Sequence, residues 1–176
     1  MHKILKEYWI LPFVIDYIST CNHEKECTVF IRTLREKYSI SRKLAKTIEY
    51  VIRKIKSRGT SLEDIVKGVS YISLERKMIA ILYRGVPILI IVKPHRVRSY
   101  MINRNHLDKV ITVLKSMKQP SLDFKDLVKS LNIHPKTISI IIRFLIASGC
   151  LIPVKKHSYL ISNSEDCALL LEKLHS

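Results

Sequence analysis

Carboxylates are scarce in this chain. Its 176 residues hold 15 Asp and Glu against 31 Lys and Arg, a formal charge of +16 at pH 7. An excess of that size finds no partner inside the molecule and points to a polyanion outside it. Glycine is held to 4 residues, none in a Gly-rich phosphate loop. There is no Gly-x-Ser-x-Gly, no His-Glu-x-x-His and no pair of spaced Cys/His half-sites, so ATP-driven, zinc-dependent and serine-hydrolase chemistry have no support. Long apolar runs are missing as well. Val86 to Val92 contains Pro87 and falls far short of the roughly 20 residues that cross a bilayer. The 4 cysteines, Cys21, Cys27, Cys150 and Cys167, are too few and too scattered for a secreted disulfide scaffold. Cys21-x-His23-x3-Cys27 has half the look of a metal site and lacks the second half, so neither metal nor cofactor is expected.

What is present is apolar and basic. At 47% hydrophobic residues the chain can build real cores, which excludes disorder as its main state. Isoleucine is plentiful, charged residues reach 26% and Gln119 is the only glutamine. That is the composition of a thermophile, archaeal-like in its balance of charge against amides. Disulfides occur inside such cells; Cys150 with Cys167 is one pairing that the sequence leaves open. The start of the chain turns from basic to apolar, but Glu7 and Asp16 interrupt the apolar stretch and no small-residue cleavage site follows. The expectation is a cytoplasmic, nucleoid-associated protein.

The expected fold class is mainly α with small β-hairpins, in three parts. Residues 1–92 form an N-terminal helical module with an apolar hairpin, 93–104 a basic linker and 105–176 a C-terminal module. In the last, Asn105 caps a helix with inner positions Leu107, Val110, Ile111, Leu114 and Met117, which ends at Gln119-Pro120. Asp123 caps a short second helix with Phe124, Leu127, Val128 and Leu131 inside. Asn132 stands where a left-handed residue closes that helix, Ile133 is a buried turn residue, and Pro135 opens a third helix with the stripe Ile138, Ile141, Ile142 and Leu145.

The run Leu127 to Ile152, with its leucine-rich second helix, tight turn, Pro-led third helix and Gly149 before Leu151-Ile152, resembles the helix-turn-helix and following strand of winged-helix DNA-binding proteins. On that resemblance Pro153 to Ile161 is a β-hairpin wing with Lys155 and Lys156 at its tip, and 165–174 a closing helix. Lys136, Thr137, Ser139 and Arg143 are the outward face of the DNA-reading helix, together with Ile140. Two features depart from the family: Asn132 replaces a turn glycine, and the third helix is unusually apolar, which weakens base readout.

A second helix-turn-helix resemblance lies at 29–59. Ser41 caps a helix with inner positions Leu44, Ile48, Val51, Ile52 and Ile55. Leu34, Ile40 and Lys43 match Leu127, Ile133 and Lys136. After a three-residue insertion, Thr47, Ile48, Ile52, Arg53 and Gly59 match Thr137, Ile138, Ile142, Arg143 and Gly149, a weak internal repeat. The outer face carries Arg42, Lys43, Lys46, Tyr50, Arg53, Lys54 and Ser57. A solvated face in a thermophile normally mixes both signs of charge, and this one does not. Upstream, Tyr8 to Ile18 reads as a buried helix with Pro12 in its early turn. Downstream, a short helix from Ser61 to Val69 precedes strands 77–83 and 86–92, apolar on both faces and therefore in need of a cover. The linker adds Arg96 and Arg98 as an arm along the DNA backbone.

The expected function is thus non-catalytic binding of double-stranded DNA, mainly through phosphate contacts, in transcription regulation or replicon and chromosome maintenance. The site residues are Arg42, Lys43, Lys46, Tyr50, Arg53, Lys54, Arg96, Arg98, Lys136, Thr137, Ser139, Arg143, Lys155 and Lys156. A homodimer through the hairpin 77–92 or helix 165–174 is the oligomer on offer. Two alternatives stand beside this. One is an adaptor similar to the tandem winged-helix, kleisin-binding subunits of chromosome-condensing complexes. The other is a metal-dependent nuclease, because Tyr71 to Lys77 resembles the Glu-x-Lys strand of restriction-endonuclease-like enzymes, with Glu75 and Asp64 as ligands.

Overall fold

The computed structural model describes residues 7–21, 27–75 and 77–176. A 3-10 turn at Tyr8–Ile10 leads into α1 (Leu11–Thr20), α2 (Cys27–Tyr38), α3 (Arg42–Ser57) and α4 (Leu62–Lys67). Four strands follow: β1 (Val69–Glu75), β2 (Met78–Tyr83), β3 (Val86–Lys93) and β4 (Arg96–Met101). The chain closes with α5 (Arg104–Ser116), β5 (Ser121–Asp123), α6 (Phe124–Ser130), α7 (Pro135–Ala147), β6 (Leu151–Lys155), β7 (Ser158–Ile161) and α8 (Glu165–His175). Helix makes up 55% and strand 24% of the described residues. The fold is therefore mixed, helices with small antiparallel sheets, rather than mainly α. The expected hairpin is extended on both sides into a sheet of order β1-β2-β3-β4, and residues 93–104, read from the sequence as a linker, hold strand β4. That strand exposes Arg96, Arg98, Ser99 and Met101 and half-buries only Val97 and Tyr100, so it carries no period-two apolar pattern to read from the sequence.

The chain divides into two compact units, residues 1–69 with 90–99 and residues 70–89 with 100–176. The first holds 17 Lys and Arg against 8 Asp and Glu, or +9, and the second 14 against 7, or +7.

In the first unit, α1 and α2 pack through edge-on aromatic pairs, Phe13 with Tyr38 and Tyr17 with Phe30, ring centroids 5.2 Å apart in each. Pro12 sits in the first turn of α1, where its missing N–H is harmless. Asp16 on α1 is buried and accepts bonds from Lys37 Nζ at 2.7 Å and Tyr38 Oη at 2.5 Å. Burial above all, then the Asp16 charge and its hydrogen bond, holds the Tyr38 hydroxyl well above its ordinary pKa. Ser39 closes α2 with φ +53°.

In the second unit, β5, β7 and β6 form an antiparallel sheet in that order, with Leu122 and Pro153 flanking Tyr159 and a bulge between Pro153 and Lys155. The cap of α5 is Asn103, whose Oδ1 accepts from the N–H of Asn105 at 2.9 Å; Asn105, the expected cap, lies inside the helix. Helix α5 stops at Ser116, short of Gln119. Asp123 and Pro135 take the expected places at the starts of α6 and α7. Asn132 is not left-handed: α6 ends on extended Leu131 (φ −117°, ψ 138°), so the turn needs no such residue. Cys150 and Cys167 form a disulfide with Cα atoms 4.8 Å apart. Tyr71 Oη on β1 donates to the Asp166 carbonyl at 3.1 Å, and Arg104 donates to the carbonyl of Leu174. Strands β2 and β3 are buried almost throughout, β2 packing against α7.

Candidate nucleic-acid interface

Helix α3 is built by its own sequence. Ser41 Oγ accepts from the Leu44 N–H at 3.2 Å, the preceding Ile40 is buried, and Ala45, Ile48, Ile52 and Ile55 form the inner stripe. Leu44 and Val51, read as inner positions, are half-buried flanks, and small Ala45 takes the inner place instead. The outer side exposes Arg42, Lys43, Lys46, Tyr50, Arg53, Lys54 and Ser57. Arg53 pairs with Glu49 at 3.0 Å, one turn back. Among the described residues, no carboxylate pairs with Arg42, Lys43, Lys46 or Lys54. Lys54 Nζ stands 6.0 Å from the centroid of the Tyr50 ring, which is 64% exposed. No acid occupies the first turn of α3, so its N-terminus adds the positive end of a helix dipole to Arg42 and Lys43.

One backbone bond enlarges this face. The Ser41 N–H donates to the Pro94 carbonyl at 2.7 Å, which fixes the β3–β4 turn against the start of α3. The turn, with Lys93, His95 and Arg96 exposed on it and Arg98 exposed further along β4, thereby stands beside the start of α3, where Arg42 and Lys43 lie. A groove of about 720 Å³ borders it, lined among others by Arg32, Arg35, Ser39 and Arg42. Composition alone could not link residues 42 and 96.

In the second unit, α7 starts at Pro135 with His134 as cap, its Nδ1 accepting from the Lys136 N–H at 3.2 Å. Lys136 and Arg143 are exposed, Thr137, Ser139 and Ile140 half-buried. Ser139 and Arg143, one turn apart, share a second groove of about 720 Å³ with Lys155 and Lys156 of the β6–β7 hairpin; Lys136 and Thr137 lie off it. Three rings line that groove too: Phe124, His157 and Tyr159. Of these, Phe124 reads from the sequence as an inner-face residue, and the aromatic spacing across β5–α6 and the hairpin is too long-range to notice there.

The acid-based alternatives fare differently. Asp64 lies on α4, exposed and paired with Lys67 at 3.3 Å, whereas a Glu-x-Lys nuclease wants that carboxylate on a neighbouring strand. No group of three or more His, Cys, Asp or Glu able to hold a metal occurs among the described residues. Of the half-site Cys21-x-His23-x3-Cys27, Cys21 is disulfide-bonded, Cys27 opens α2 and His23 lies outside the described residues. No described helix is long and apolar enough to cross a membrane. Comparison with protein-family models, curated proteins and solved structures yields no match.

Proposed function

We propose that this chain is a non-catalytic double-stranded DNA-binding protein with two helix-turn-helix modules, the second of winged-helix type. It serves in transcription regulation or replicon and chromosome maintenance. The observation that carries this is the acid-poor face of α3, extended by the Ser41–Pro94 bond to the β3–β4 turn. Arg42, Lys43, Lys46, Arg53, Lys54, Arg96 and Arg98 neutralise phosphates along the duplex backbone, and Tyr50 packs under Lys54. In the second unit Lys136, Thr137, Ser139, Arg143, Lys155 and Lys156 supply further contacts, with little base readout because only Lys136 and Arg143 of the outward face of α7 are exposed and apolar Ile140 lies between them.

Phosphate binding releases counterions, so log K against log salt should fall linearly, with a slope of about −5 or steeper for six or more phosphate contacts. A flat plot, or no duplex binding at low salt, overturns the proposal.

A second function, as an interaction adaptor of a chromosome or transcription complex, draws on the exposed apolar positions of the C-terminal hairpin, Ile152, Val154 and Leu160. Charge reversal at Arg42, Lys43 and Lys46 separates the two: it lowers duplex affinity on the order of 100-fold under the first and leaves partner binding intact under the second.

A further inference from the structure

The groove between α7 and the β6–β7 hairpin differs in chemistry from the face of α3. Its floor is apolar, formed by Met78, Ile142 and Ile146, and its rim carries Arg143, Lys155 and Lys156 with no carboxylate among the lining residues. Aromatic rings stand between floor and rim. The Phe124 N–H donates to the His157 carbonyl at 2.9 Å, which holds the hairpin tip on α6, and the two rings lie 5.7 Å apart at 34°. Tyr159 on β7, opposite Pro153, lines the same groove half-buried. Its volume of about 720 Å³ is within the range of small-ligand sites.

Rings beside unpaired cations suit a nucleobase attached to phosphate. A base inside a duplex has both faces covered by its neighbours and shows a protein only its edges, which need the polar readers that α7 largely lacks. An unpaired base offers its face, and a face is what Phe124, His157 and Tyr159 can meet. We propose that this groove binds unpaired nucleotides of a single-stranded nucleic acid, the bases against these rings and the phosphates on Arg143, Lys155 and Lys156. The proposal shares with the duplex function only the premise that these cations meet phosphate.

The test is fluorescence anisotropy on the full chain with labelled oligothymidylate, oligouridylate and a mixed-sequence duplex of equal length. Tyr159→Leu should weaken single-strand binding by about 5- to 100-fold and leave duplex binding unchanged, while Tyr159→Phe, which keeps the ring and the packing, retains it. Arg42→Gln/Lys43→Gln/Lys46→Gln should do the reverse. Binding of either single strand supports the proposal. It is overturned if neither single strand binds, if Tyr159→Leu has no effect, if Tyr159→Phe loses as much as Tyr159→Leu, or if duplex and single-strand affinity fall together in Tyr159→Leu. Failure on duplex with success on a single strand removes the duplex function and leaves the groove standing.

Discussion

The turn between α2 and α3 and the turn between α6 and α7 are built alike and used differently. Each is entered through a buried leucine, Leu34 or Leu127, and each has a buried isoleucine just before a capped helix, Ile40 or Ile133. Each helix then buries a matching pair, Ile48 and Ile52 or Ile138 and Ile142, and runs out to a left-handed glycine, Gly59 at φ +79° or Gly149 at φ +75°. The three-residue insertion that the alignment requires is the difference in helix length, 16 residues in α3 and 13 in α7. What separates them is covering. Helix α3 buries four residues; α7 buries seven, adding Phe144, Ile146 and Ala147, and packs against β2 as well as β6. A helix with one covered side keeps a solvent face for cations, and a helix covered on a second side must turn apolar there. The apolar character that set α7 apart from DNA-reading helices therefore has a structural cause.

Removing that second covered side should have the largest effect. Phe144→Ala truncates a fully buried ring and should cost about 3–5 kcal/mol in urea unfolding, whereas Lys46→Ala on the free face of α3 should stay within about 0.5 kcal/mol; similar costs would refute the difference in covering. Next comes the charge contrast. Arg42→Glu/Lys43→Glu/Lys46→Glu should lower duplex affinity on the order of 100-fold, and Lys155→Glu/Lys156→Glu about tenfold. Equal losses in a filter-binding assay would mean that the two units share the work.

The closing glycines come third, and here the two turns part company again. At Gly59 an added Cβ meets nothing within 4 Å, so Gly59→Ala carries only the left-handed backbone cost, about 1–2 kcal/mol. At Gly149 the same atom would lie 2.6 Å from Ser164 Oγ. That hydroxyl caps α8 by accepting from Cys167 N–H at 3.2 Å and donates to the Gly149 carbonyl at 2.8 Å. It cannot move without losing a cap, so Gly149→Ala should cost about 1 kcal/mol more than Gly59→Ala. Thermal melts of the two variants should rank in that order.

How much of this the sequence carried depends on range. Caps and stripes are local, and Ser41, Asp123 and Pro135 stand where the spacing put them, as does the stripe of α7; in α3 Ile48, Ile52 and Ile55 are buried as expected, with Ala45 in place of Leu44 and Val51. Strand β4 was hidden because four of its six residues are exposed, two of them arginines, which read as a linker until β3 is seen beside it. The joining of the Arg96 region to α3 depends on one bond between residues 41 and 94, and the rings of the second groove come from three separate elements. Asn103 displaced Asn105 as a cap because both amides satisfy the same local rule and only the backbone at residue 103 is extended (φ −66°, ψ 123°). The covering of α7 by β2 is likewise a contact across more than fifty residues of sequence, for which periodicity has no signal.

The smallest predicted effect concerns how each unit is pinned. The second unit has the Cys150–Cys167 disulfide, whereas the first, beside its disulfide-bonded Cys21, has a buried carboxylate, Asp16, bonded to Lys37 and Tyr38. The Tyr38 hydroxyl is raised by burial first and by Asp16 next, so in the folded chain it keeps its proton through the pH range where a free tyrosine, near 10, gives it up. Stability from Tyr38 is then fully present below pH 10 and is lost as pH rises beyond it, with a slope approaching 1.4 kcal/mol per pH unit, about the most that one proton allows. Tyr38→Phe forfeits the hydrogen bond to Asp16, about 1 kcal/mol at neutral pH, and removes this slope. Tyr71 in the second unit is also raised, chiefly by burial, but it contributes equally to the two proteins and cancels in the difference. Urea midpoints of wild type and Tyr38→Phe should therefore converge between about pH 10 and 11.5; parallel curves would show that the Asp16 site does not hold the Tyr38 proton.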